Sequence, residues 1–170
     1  MQPTDVPVSL PIDVGSPGSS AESGNHFSAV VIPGPCSLTD PHARLRAVHD
    51  LVASRRSEPA VDAPLRLAPI LQQVPGWLTK PAINAYARRV DLQASNIPGP
   101  DFPLFLAGRE VEQFYAFGPL PGVPIMAVLA SYHGSCSIGF TIDPAAVTDV
   151  PLLVACMREA FTELVDASAE

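Results

Sequence analysis

Residues 136–142 alternate with a period of two: Cys136, Ile138, Phe140 and Ile142 are large, while Ser137, Gly139 and Thr141 are small. That period puts the two sets on opposite faces of one extended strand. Upstream, an apolar run from Val123 leads into His133-Gly134. This fits a two-residue turn, because Gly accepts a positive φ and His tolerates one there. Residues 123–143 therefore read as a tight hairpin. Further strand-like runs within 92–100, 103–108 and 114–120 are separated by Pro/Gly corners at 98–100, 108, 118–122 and 134. Such punctuation builds a multi-stranded sheet.

The flanking sequence supplies edges and helices. Val6-Pro7-Val8-Ser9-Leu10 reads as a short edge strand, since its Pro excludes a central ladder position. Residues 11–25 have the Gly/Ser/Pro content of a mobile loop. His26–Ile32 has strand composition, with apolar residues on both faces. Thr39-Asp40-Pro41 opens a helix carrying Leu45, Val48 and Val52 at helical spacing. Residues 64–78 and 81–90 read as short helical pieces broken by Pro69 and Pro75. At the end, Asp149 caps and Pro151 opens a helix whose stripe is Leu153, Met157, Ala160/Phe161 and Leu164. It should lie across the large-residue face of the hairpin. The fold class is α/β, a mixed sheet flanked by helices, with 1–25 as an edge strand and flexible loop before a domain at 26–168.

Composition narrows the function. A net charge of −7 argues against nucleic acid as a partner, which calls for a basic face. The Arg44, Arg46, Arg55 and Arg56 cluster reads as a solvated helix face. No run of about 18 apolar residues is present to span a membrane. Three cysteines at 36, 136 and 156 lack Cys-x-x-Cys spacing, which fits buried free thiols in a reducing cytoplasm rather than a disulfide frame or a metal site. An apolar fraction of 47% against 16% charged residues leaves little polar surface, so an exposed apolar face is expected.

Five short blocks carry a family resemblance: Ser-Asn-Ile-Pro-Gly-Pro (95–100), Leu-Phe-Leu-Ala-Gly (104–108), Phe-Gly-Pro-Leu (117–120), Ser-Tyr-His-Gly (131–134) and Ile-Gly-Phe-Thr-Ile-Asp (138–143). In order and spacing they resemble the C-terminal domain of the bacterial wax ester synthase/diacylglycerol acyltransferases. Val6–Leu10 and Gly24-Asn25 resemble the start of that domain. The resemblance implies half of a chloramphenicol-acetyltransferase-like architecture, in which two α/β domains face each other across a channel. It also implies acyl transfer from acyl-CoA to a long-chain alcohol or diacylglycerol, without a further cofactor, and a cytoplasmic location that extends to membrane or lipid-inclusion surfaces.

In that family the general base belongs to a His-His-x-x-x-Asp-Gly motif of the N-terminal half. No such motif occurs among His26, His42, His49 and His133, so no catalytic residue is assigned here and the chain alone should be inactive. A separate N-terminal half, or self-association, is the implied partner; a lipid-binding or interaction module without catalysis is the alternative. Gly-x-Ser-x-Gly and phosphate-cradling Gly-rich motifs are missing too. The remaining candidates are Asn25, Ser95, Asn96, Pro98 and Gly99. Asn96 stands before Ile-Pro-Gly-Pro, where its amide can either stabilise the turn backbone or, as the resemblance implies, face the substrate channel. Asn25 admits the same two readings. The small-residue face of Ser137, Gly139 and Thr141 could line a channel or pack closely against a neighbour.

Overall fold

The computed structural model describes residues 5–13, 27–56, 74–77, 79, 81, 85, 89–120 and 122–168. The elements are β1 (Val6–Asp13), β2 (Phe27–Gly34), α1 (Pro41–Arg56), β3 (Leu92–Pro98), β4 (Phe105–Leu106), β5 (Arg109–Glu110), β6 (Ile125–Tyr132), β7 (Ser135–Ile142) and α2 (Val150–Ser168). Five strands form one sheet in the order β2-β1-β3-β6-β7, and β4-β5 is a separate two-stranded hairpin. β1, β3 and β6 run parallel, while β2 and β7 run antiparallel to their neighbours. The expected mixed sheet flanked by helices is present.

β1 is an interior strand, not the edge its prolines suggested. It pairs with β2 from Val6–Gly34 to Asp13–Phe27, but with β3 only at Val8–Leu92 and Ser9–Gln93. The Pro7 carbonyl accepts the Asp91 amide at 3.1 Å, so odd-numbered positions of β1 direct their backbone groups toward β3. Pro7 and Pro11 both lie on that side and have no N–H to give. The prolines thus leave the β2 ladder whole and shorten the β3 ladder. Residues 11–13, expected in the loop, instead extend β1, and residues 14–26 lie outside the described residues.

β2 starts at Phe27 and is covered more fully on one face than on the other. Ser28, Val30 and Ile32 are buried, whereas Ala29 and Pro33 are exposed. α1 begins as expected, the Asp40 carboxylate accepting the Ala43 amide at 3.0 Å. α2 is capped by Asp149, whose carboxylate accepts the Leu152 amide at 3.0 Å. The two helices meet through an ion pair of Arg44 with Glu163 at 2.8 Å. Most of residues 64–90 lies outside the described residues, so the short helical pieces expected there are not described.

The hairpin is as read. His133 and Gly134 take φ of 44° and 77°, the pair of positive values that a tight turn of this kind requires. Register then sorts the side chains. Met126, Val128, Ala130 and Tyr132 share one face with Thr141, Gly139, Ser137 and Ser135. Over this face runs the segment 111–120, with Ala116 buried against Met126, Val128 and Ala130, and Leu120 packed beside them. A Cβ at Gly139 would stand 2.1 Å from the Ala116 carbonyl oxygen, so the small residues serve close packing. The strand expected at 114–120 is absent. Pro119 cannot donate to a ladder, and the Phe114 carbonyl is taken by the Ser137 hydroxyl at 2.5 Å rather than by a strand.

The opposite face carries Leu129, Ile138 and Phe140 beneath α2, as the large-residue alternation required. A second apolar cluster on this face joins Ile12, Val30 and Leu10. Neither helix has a buried residue, and Leu45, expected on the inner stripe of α1, is half exposed. The cysteines are free, but all three are exposed rather than buried. Cys36 lies in the loop after β2, Cys136 beside the hairpin turn on an edge strand, and Cys156 on a helix that buries nothing.

Candidate functional site at the corner after β3

The parallel strands β3 and β6 end side by side at Pro98 and Ser131. There the chain leaves the sheet through Gly99 and Pro100 and folds back over the β6–β7 turn. The Gly99 amide donates to the Ser131 hydroxyl at 3.3 Å. A Cβ at Gly99 would stand 2.1 Å from the Ser131 carbonyl oxygen, so glycine is demanded by the approach of two backbones. The His133 amide donates to the Pro100 carbonyl at 2.9 Å. Its ring Nδ1 lies 3.0 Å from the Asp101 carbonyl, which requires the proton on Nδ1. The Tyr132 hydroxyl accepts the Leu104 amide at 2.8 Å.

Side chains from three successive residues, Ser131, Tyr132 and His133, therefore hold the corner. Asn96 does not. It is exposed, and its amide makes no hydrogen bond among the described residues. The turn-anchoring reading of Asn96 is corrected in favour of these three residues, because β6 ends directly under the corner whereas Asn96 stands a residue pair back along β3. Ser95 is half-buried on the other face of β3, level with Val128, and Pro98 is exposed at the strand end. Ser95, Asn96, Pro98 and Gly99 thus occupy one sheet end but not one face. Asn25 lies outside the described residues. Sequence reading passed over Ser131 and Tyr132, although the Ser-Tyr-His-Gly block contained them.

Beyond the corner the chain presents an apolar ridge. Phe102, Phe105, Leu106, Phe114, Tyr115 and Phe117 are exposed, with Leu106 at 75% and Phe117 at 69%. The β4–β5 hairpin carries part of it on a turn with Ala107 and Gly108 at positive φ. Between this segment and the start of β7 lies a cavity of about 180 Å³, lined among others by Gln113, Tyr115, Tyr132 and Cys136. A larger cleft of about 450 Å³ opens on the other face, between α2 and the β6–β7 hairpin. Among the described residues no three His, Cys, Asp or Glu side chains gather where they could hold a metal ion. His49 is exposed on α1, and its ring Nδ1 lies 3.3 Å from the carboxylate of its neighbour Asp50. No described helix is long and apolar enough to cross a membrane.

Backbone and side-chain bonds from β6 and its turn thus fix the corner, and exposed apolar side chains follow it. A sequence model of the WS/DGAT C-terminal domain matches residues 23–165. The chain belongs to the WS/DGAT C-terminal domain family. A Mycobacterium tuberculosis (strain H37Rv) protein named, provisionally, as a diacylglycerol O-acyltransferase is 33% identical over 159 residues, covering 94% of this chain and 32% of that protein. Another from the same organism, tgs1, named provisionally in the same way, is 24% identical over 94% of this chain and 35% of its own length. The fold is that of the wax ester synthase/diacylglycerol acyltransferase from Marinobacter aquaeolei VT8, with a TM-score of 0.64 at 15% identity over 98% of this chain and 37% of that one. This WS/DGAT C-terminal domain chain spans about a third of the length of the relatives it matches.

Proposed function

We propose that this chain supplies the C-terminal part of an O-acyltransferase that moves an acyl group from acyl-CoA to a long-chain alcohol or diacylglycerol. Family membership over residues 23–165 carries the reading. The chemistry needs a base on the acceptor hydroxyl, which then attacks the thioester carbonyl and expels the CoA thiolate. In the resembled enzymes that base lies in His-His-x-x-x-Asp-Gly, a motif that this sequence does not contain. Acyl transfer therefore requires a portion bearing the motif. The role assigned here is to present the corner after β3, with Ser95, Asn96, Pro98 and Gly99, to the substrate channel. The ridge from Phe102 to Phe117 supports this, because apolar side chains so exposed call for a cover. We place the assembled enzyme in the cytoplasm, peripheral to membranes or lipid inclusions.

The test is co-expression with a His-His-x-x-x-Asp-Gly-bearing N-terminal portion of a relative. Co-purification and transfer from palmitoyl-CoA to hexadecanol are expected together, and the isolated chain should stay at background. Robust turnover by the isolated chain, lost on mutating one of its own residues, would overturn the reading. A second reading, a lipid-binding module without catalysis, is favoured by the cleft beneath α2.

A further inference from the structure

We propose that the cleft between α2 and the β6–β7 hairpin is a binding slot for a long-chain fatty carboxylate, with Arg158 holding its head group. The slot goes beyond the acyltransferase reading and stands whether or not the chain takes part in acyl transfer. Its floor is the sheet face bearing Leu129, Ile138 and Phe140, and its roof is Val154, Met157 and Phe161 of α2. The volume of about 450 Å³ is in the range of about 300–1,000 Å³ that small-molecule sites occupy. α2 buries no residue, although its apolar stripe is turned toward the sheet. Val154 and Phe161 remain 37% and 42% exposed. An apolar surface on both walls is thus left wet, where a hydrocarbon chain would dry it.

Charge selects the kind of lipid. Arg158 is the one charged side chain among the described residues lining the slot. Its guanidinium makes no ion pair among the described residues, in contrast to Arg44, which is held by Glu163. A single fork of donors matches one carboxylate. The phosphates of a CoA ester would call for several cations or backbone donors, and the lining offers one cation. A neutral alcohol would leave the guanidinium unused.

The experiment is displacement of cis-parinarate from the purified full chain, followed by fluorescence, with circular dichroism to confirm folding of each variant. Palmitate should displace the probe at one site per chain. Arg158→Gln removes an exposed charge that makes no ion pair among the described residues, so this variant should fold; it should weaken palmitate about tenfold and change hexadecanol by less than about twofold. Met157→Trp should fill the slot and block both ligands, whereas Phe105→Ser with Leu106→Ser on the ridge should leave both unchanged. Failure of palmitate to displace the probe would overturn the slot. So would unchanged palmitate affinity in Arg158→Gln, or binding that survives Met157→Trp and disappears in the ridge variant. Each of these readouts is separate from acyl transfer, so loss of the slot would leave the enzymatic reading untouched.

Discussion

Gly99 and Ser131 are joined twice: the Gly99 amide donates to the Ser131 hydroxyl at 3.3 Å, and the missing Gly99 side chain makes room for the Ser131 carbonyl oxygen, 2.1 Å from where a Cβ would be. Gly99→Ala has to move one backbone off the other. Overpacking of this kind costs about 1–3 kcal/mol. A lowered midpoint in urea, with the slope unchanged, is the expected result.

The same corner separates Asn96 from Ser131. Asn96→Ala removes an exposed amide that makes no hydrogen bond among the described residues, so stability should stay within about 0.5 kcal/mol of the parent. Ser131→Ala removes the acceptor of the Gly99 amide and should cost about 1 kcal/mol. Thermal melts of the two variants side by side would show the opposite order if Asn96 held the turn.

Gly139 is the second close approach, with the Ala116 carbonyl oxygen 2.1 Å and the Phe117 ring 2.9 Å from its absent Cβ. Gly139→Ala should push the 111–120 segment off the sheet and uncover Met126 and Val128. Stability should fall by about 1–3 kcal/mol, and binding of a hydrophobic dye should rise. Dye binding equal to that of the parent would mean that the segment does not depend on a side-chain-free position 139.

Arg44 and Glu163 tie α1 to α2 across partly exposed surface, with side chains 35% and 42% accessible. Pairs this wet contribute less than about 1 kcal/mol. A double-mutant cycle with Arg44→Gln and Glu163→Gln should return a coupling of that size, vanishing in high salt. A coupling that survives molar salt would show a drier interface between the helices.

The ridge should govern solution behaviour. Phe105→Ser with Leu106→Ser replaces two residues that are 64% and 75% exposed, so it should cost little stability while reducing self-association and dye binding. Light scattering of parent and variant at matched concentrations checks this. Identical scattering would place the association surface elsewhere.

Much of this fold was legible because alternation and turn chemistry are local. The period from Cys136 to Ile142 fixed which face meets α2, and His133-Gly134 fixed the hairpin before any pairing was known. Asp40 and Asp149 marked helix starts through bonds spanning three residues. What stayed hidden depends on partners far along the chain. Ser131 receives an amide from 32 residues upstream, a contact with no trace in local composition. Asn96 drew attention through its residue type, yet its side-chain amide has no hydrogen-bond partner among the described residues. Pro7 suggested an edge strand because it lacks a donor, yet β1 is interior, and only the pairing shows that the lack falls on one side of the strand.

That one-sidedness also bears on how the chain assembles. The β1–β2 pair is complete early in the sequence, and the strand that must join it, β3, follows after α1 and a long intervening stretch. Joining distant strands costs closure entropy before it returns any contact, so this seam is expected to close after the β1–β2 pair. Until then the outer side of β1 waits unpaired, where a stray strand could seize it. Pro7 and Pro11 face that side and offer a visitor no donors. The two residues that make the finished seam short are thus the guards of the unfinished one.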